Sequence, residues 1–452
     1  MLVAMTSSTR PRDLHDVRAR VAASSAREVI AESLAAARDV APLGAFLALA
    51  DRVEAGEGPL AGVPLAVKDN LDTADLPTTA GTPALRGSRP GRDHRAVERL
   101  RAAGAAVIGK TNMHELALGI TSNNSAFGPV RNPHDPSRSA GGSSGGSAVA
   151  VAAGVVPLAL GTDTGGSVRV PAAHCGIVGW RPTVGRWPGD RIVPISRTRD
   201  TAGVLAARVA DAALVDELVT GDAPAPAPDR LRLGVPRAGF YTDLHPEVAE
   251  CARRTLDRLA DSGVELVETE VVGAHELDVD CGFPIVFFEI VEDLPAYLAT
   301  LPGPERELTF ADVVAQVASP DVRSALEFAA SGAITADVYR AALDTRERLR
   351  EAYRAALRPD GERLDALVYP TVPLPAPPVG DDETTELNGR QVPVFTTTIR
   401  NTGPGSAAGM PAISLPAGVT AGGLPIGISL EALPGDDPHL LAVARRVEQM
   451  LG

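Results

Sequence analysis

Gly141-Gly142-Ser143-Ser144-Gly145-Gly146-Ser147 opens, and Gly161-Thr162-Asp163-Thr164-Gly165-Gly166-Ser167 closes, the stretch from which the rest of the chain is read. Between them Ala148-Val149-Ala150-Val151-Ala152-Ala153-Gly154 predicts a short helix with a glycine stop. The apolar run Val155 to Leu160 then predicts a strand that delivers the second Gly-Gly-Ser turn. Glycine lets a backbone turn sharply and approach a ligand closely. A loop so turned can aim several N–H groups at one point, which suits an oxyanion, and its serines are candidate nucleophiles.

Three other readings of the stretch fit less well. A flexible Gly/Ser linker is at odds with the apolar segments that flank it tightly. A phosphate-binding P-loop needs Gly-Lys-Ser/Thr, and no such lysine follows these glycines. Gly141-Gly142-Ser143-Ser144-Gly145 matches G-x-S-x-G, but that elbow needs a strand before it. Asn132 to Ser139 reads as a loop instead.

Of 43 basic residues only Lys68 and Lys110 are lysines; the others are arginines. A lysine kept in such a chain points to a task arginine cannot perform, and arginine cannot lose its proton. Lys68 ends the buried-strand pattern Gly62-Val63-Pro64-Leu65-Ala66-Val67-Lys68. Lys110 ends a second apolar strand and reads as structural or pocket-lining.

GGSSGGS followed by GTDTGGSVRVPAAHCGIVGWRPT resembles the amidase signature family, and the resemblance runs from about Leu60 to Leu451. It implies an α/β fold with a large mixed sheet flanked by helices on both faces. It implies hydrolysis of a carboxamide to carboxylate and ammonia through an acyl-enzyme, with no cofactor and no metal. Ser167 becomes the nucleophile, Ser143 (on a cis peptide) the proton relay, and Lys68 the base. Backbone N–H groups of Thr164, Gly165, Gly166 and Ser167 become the oxyanion hole. Asp163 and Arg169 support the turn, and Ser144 and Ser147 cap and pack the helix. His94, His114 and His174 lie nearby, so a Ser-His-Asp triad is a second option. Arg186 to Thr201 and Ile399 to Gly409 look like the indoleacetamide and mandelamide hydrolases, which implies an aryl or arylalkyl primary amide as substrate. Two alternatives stay open: an amidotransferase A-type subunit acting as glutaminase in a complex, and a ureido-compound hydrolase. Gly179-Trp180-Arg181-Pro182-Thr183 departs from the family's usual Gly-Leu-Lys-Pro-Thr by the chain's general use of arginine.

The 452 residues, 44% hydrophobic and 22% charged, fit a globular enzyme. A net charge of −14 argues against nucleic-acid binding. No apolar run is long enough to span a membrane. Cys175, Cys251 and Cys281 are too few and scattered for a disulfide framework or a zinc site, and suit a reducing cytoplasm. A small-molecule partner is expected, and a homodimer is compatible with the resemblance. Met1 and Met5 are alternative starts, and residues 1–12 read as loose.

Residues 1–59 read as an N-terminal helical cap, with helices over Asp13 to Ala23 and Ala26 to Val40 and a Ser25/Glu28 capping box. Residues 60–452 read as the catalytic domain, with a smaller lobe over about 229–360 after the Pro/Ala hinge at 221–228. Gly185 to Gly203 reads as a long loop and Ala206 to Thr220 as a helix. Phe283 to Leu357 reads as mainly helical, and its group Phe287, Phe288, Tyr297, Leu326, Phe328 and Tyr339 as core or pocket lining.

Overall fold

The computed structural model describes residues 11–452, so the expectations for the first ten residues, and the choice between Met1 and Met5, lie outside the described residues. Eleven strands form one mixed sheet. They are β1 (Phe46–Leu49), β2 (Pro64–Lys68), β3 (Ala106–Thr111), β4 (Leu158–Asp163), β5 (Val178–Arg181), β6 (Thr201–Ala206), β7 (Arg232–Pro236), β8 (Glu265–Thr269), β9 (Ala366–Pro370), β10 (Ala412–Val419) and β11 (Pro425–Glu431). Their order across the sheet is β1-β3-β2-β4-β6-β5-β10-β11-β9-β7-β8. β3, β2 and β4 run parallel, as do β9, β7 and β8, while the strands between pair antiparallel.

Side chains alternate across a strand, so a strand buried on both faces reads as a continuous apolar run. Leu65 and Val67 of β2 join Leu158 and Leu160 of β4 in one core, with Trp180 and Val204. Ala66 and Ala159 face the opposite core, packed against Val149 and Val151. Those valines belong to the helix Gly145–Ala152, all eight residues of which are buried. Glycine, alanine and serine along it allow that burial: a Cβ on Gly146 would lie 2.4 Å from the carbonyls of Ala45 and Asn112.

Two strands of this sheet lie where the sequence was read otherwise. Thr201–Ala206 runs from the end of the stretch read as a loop to the first residue read as helix, and the helix itself begins at Val209. Gly203 interrupts its apolar pattern, yet a side chain there would lie 2.3 Å from the Trp180 carbonyl. The strand is held from both sides by β4 and β5. Phe46–Leu49, in the region read as helical, adds an edge strand paired with β3. Helices Leu14–Ala23 and Ala26–Asp39 are present, with Asp13 and Ser25 accepting from first-turn N–H groups. Only the Ser25 half of the capping box forms. Among the described residues no helix is long and apolar enough to cross a membrane.

Candidate active site

β2 and β4 are parallel neighbours, so their C-terminal ends open on the same edge of the sheet, where ligands of α/β folds bind. Lys68 ends β2, and β4 leads into the second glycine turn. The Lys68 side chain is fully buried. Its Nζ donates to Ser143 Oγ at 2.8 Å and to Thr162 Oγ1 at 2.7 Å. Asn70 also donates to Thr162 Oγ1, at 3.0 Å. Burial disfavours the ammonium and brings the Lys68 pKa down to about 7, although Asp163 and Asp200 pull it upward.

The Gly142–Ser143 peptide is cis. The Ser143 carbonyl accepts from the His114 N–H at 3.2 Å and from Ser122 Oγ at 3.3 Å. Ser144 N donates to the Ser167 carbonyl at 3.2 Å, which joins the two signature loops directly. Ser144 stands at the helix start without capping it, contrary to expectation. Its Oγ is taken up by the Thr162 backbone, donating to O at 3.2 Å and accepting from N at 3.3 Å. Ser147 donates to the Leu160 carbonyl at 2.9 Å. Both serines therefore pin the helix to β4.

The turn around Ser167 is built on Asp163. Its carboxylate accepts from Gly166 N at 2.8 Å and Val168 N at 3.1 Å, on either side of the serine. Arg169 donates to it from Nε and Nη2, both at 3.1 Å, and Arg181 Nη1 donates at 2.9 Å. Burial alone would raise the Asp163 pKa, but the two guanidinium groups outweigh it and hold the carboxyl well below the usual carboxylate range. Arg169 also reaches Ser406 Oγ at 2.5 Å, and Thr402 Oγ1 donates to the Gly165 carbonyl at 2.7 Å. Thr164 Oγ1 donates to Asp200 at 2.5 Å. The segments 186–201 and 399–409 thus clasp the turn from two sides.

Ser167, 7% exposed, forms part of the wall of a cavity of about 240 Å³. Thr164 and Gly165 line it too. Gly166 does not, and its N–H already serves Asp163, so it is withdrawn from the expected oxyanion donors. Phe283, Phe287 and Phe395 supply the aromatic wall, with ring centroids 6.1 and 6.2 Å from Phe283. Of the six residues read as a pocket group only Phe287 lines the cavity. Phe328 packs edge-on against it, Phe288 stacks on Tyr339, Leu326 is core, and the Tyr297 hydroxyl donates to Asp72.

Lys110 proves structural and not pocket-lining. Its Nζ donates to the carbonyls of Leu71 and Pro77, each at 2.9 Å, and to Thr78 Oγ1 at 2.8 Å. The histidines are also accounted for. His94 bonds the Pro188 carbonyl and His174 the Leu374 carbonyl, and burial pushes each down to about 4. His114 lines the cavity, but its Nε2 pairs with Asp321 at 2.9 Å and its Nδ1 with Thr121 Oγ1 at 3.5 Å. Neither nitrogen is left for a serine. Thr162, Asn70, Asp200 and Arg181 were not named as site residues from the sequence. Thr162 and Arg181 do lie within the motif, where a threonine in an apolar strand reads as filler.

A buried lysine with its pKa brought down to about 7 and bonded to a serine, with a second serine in a donor-rich turn at a cavity, is the equipment of a hydrolase acting on an unreactive acyl group. The family model for Amidase matches residues 21–441, and the chain belongs to that family. It is an enzyme that hydrolyses amide C–N bonds. Indoleacetamide hydrolase of Agrobacterium vitis is 44% identical over 88% of this chain and 85% of the relative. Mandelamide hydrolase of Pseudomonas putida is 41% identical over 87% of this chain and 79% of the relative. A crystal structure of an amidase superposes with a TM-score of 0.85 at 35% identity, covering 98% of this chain and all of the other.

Proposed function

We propose that the protein hydrolyses a primary amide with an aryl or arylalkyl acyl group through Lys68, Ser143 and Ser167. The observation that carries this reading is the 2.8 Å contact of Lys68 Nζ with Ser143 Oγ in a site dry enough to make the amine a base near neutral pH. Ser167 Oγ attacks the amide carbonyl and its proton passes through Ser143 to neutral Lys68. The oxyanion is met by backbone N–H groups of Thr164, Gly165 and Ser167. Breakdown of the tetrahedral intermediate returns the proton to nitrogen, ammonia departs, and an ester on Ser167 remains. Water, deprotonated by the same relay, releases the carboxylate and restores Ser167. Asp163 and Arg169 hold the turn throughout and take no proton. The phenylalanine wall and the similarity to indoleacetamide and mandelamide hydrolases support an aromatic acyl group. Three buried free cysteines support a reducing, cytoplasmic setting.

Hydroxylamine partitioning tests the acyl-enzyme. With an arylacetamide as substrate, added hydroxylamine should divert product from carboxylate to hydroxamate while ammonia release continues. Carboxylate as the sole product at saturating hydroxylamine would contradict a covalent intermediate.

A further inference from the structure

The helix Ala274–Leu298 places Asp278, Gly282, Phe283, Val286 and Phe287 on one face, and all five line the cavity that Ser167 opens into. Asp278 is polar where the rest are apolar, and among the described residues no donor bonds its carboxylate. The other two carboxylates of the wall are occupied: Asp321 by His114, and Asp382 by Thr121 and Asn123 at 2.8 and 2.7 Å. Arg199 stands beside Asp278, 5% exposed, and gives Nη1 to the Gly282 carbonyl at 2.7 Å rather than to Asp278. Its Nε is buried without a partner. A Cβ on Gly282 would lie 2.7 Å from both Arg199 Nη1 and Asp278 Oδ1, and one on Gly403 would lie 2.3 Å from Asp278 Oδ2. Two glycines thus make room for the pair at the cavity wall.

A polar group held in an apolar wall without a partner costs free energy, and binding sites use a few such groups to fix a ligand's orientation. Burial raises the Asp278 pKa to about 6, against the pull of Arg199, so the group is mainly an acceptor at neutral pH. The opposite charge of Arg199 offsets its own, which favours a neutral donor over a cation.

We propose that Asp278 is a specificity residue, and that it accepts a hydrogen bond from a neutral N–H or O–H on the aromatic acyl group while Phe283 and Phe287 hold the ring. This rests on the aryl-amide reading above. Three substrates test it: indole-3-acetamide, its 1-methyl analogue, and 1-naphthaleneacetamide, a bicyclic aryl amide with no N–H. A hydrogen bond to a charged group predicts that kcat/KM for the first exceeds that of the other two by about ten- to a hundredfold. Asp278→Asn, whose amide oxygen is a neutral and weaker acceptor, should bring the first partway down toward the others and leave the other two within about twofold, since they never used the contact. Equal rates on all three substrates with the unaltered enzyme would overturn the proposal without need of a variant. So would an Asp278→Asn enzyme, folded by its melting curve, that loses the same factor on all three. If none is hydrolysed while acetamide is, the aryl-amide reading itself fails, and the role of Asp278 with it.

Discussion

Lys68 and Lys110 are both fully buried, yet their ammonium groups meet different surroundings. Lys110 is caged by two carbonyls and a hydroxyl, three acceptors for three protons, with Asp69 at 3.5 Å. Lys68 meets two hydroxyl groups at 2.8 and 2.7 Å, which can give protons as well as take them, and one carbonyl, that of Thr162, only at 3.5 Å. Lys68→Arg should therefore remove activity by about a hundred- to ten-thousand-fold, the usual worth of general-base catalysis, with the fold retained by circular dichroism. A folded variant keeping more than about a tenth of the rate contradicts the base role. Lys110→Arg should act on stability instead: a guanidinium overfills the cage, and overpacking costs about 1–3 kcal/mol, read as a lower melting temperature. With the Lys68 pKa at about 7 and the neutral amine the active form, kcat/KM should rise with pH through about 7 and level off above it. A rate flat from pH 5 to 9 on the unaltered enzyme would contradict that assignment. Lys68, Ser143 and Ser167 were legible as candidates because lysine is so scarce here and the double motif so long. Arg181 shows what was not: where the family carries lysine, the guanidinium bonds Asp163, the Arg199 carbonyl at 3.2 Å and the Ser406 carbonyl at 3.3 Å, and only the folded chain brings these together.

The Asp163–Val168 turn shows the same division at the scale of an element. Its glycines promised a tight bend close to a ligand, and Gly166 has φ +135°, a conformation side chains rarely adopt. A Cβ there would also lie 2.3 Å from Thr402 Oγ1. Gly166→Ala should cost about 1–3 kcal/mol of stability from backbone strain alone. It should also lower kcat by about a hundredfold, as expected when reacting groups shift by an ångström. A Gly166→Ala enzyme with normal kcat would show that the turn tolerates displacement. The sequence could not say which N–H groups of this turn remain available, because Asp163 claims that of Gly166 through a side-chain contact no motif records. The strand Thr201–Ala206 was missed for a related reason. Its own pattern is broken by Gly203, and pairing with β4 and β5 decides its state.

At the scale of the molecule, the class of fold came from the family resemblance, and the order of the strands only from the structure. The antiparallel run of β6, β5, β10 and β11 joins segments more than two hundred residues apart, and nothing local in the sequence specifies that pairing. Yet it is this order that brings the 399–409 segment onto the signature turn. An apolar cavity walled by three phenylalanines should favour indoleacetamide, mandelamide or phenylacetamide over acetamide in kcat/KM. The reverse ranking would remove the aromatic substrate class and leave amide hydrolysis intact. The proposed mechanism turns on one covalent bond, that between the acyl group and Ser167 Oγ. The direct measurement is the intact mass of the enzyme after reaction with a serine-reactive fluorophosphonate, followed by peptide mapping. A single adduct on Ser167, lost in Ser167→Ala, is the expected result; a single adduct on Ser143, or on any other residue, would contradict Ser167 as the nucleophile.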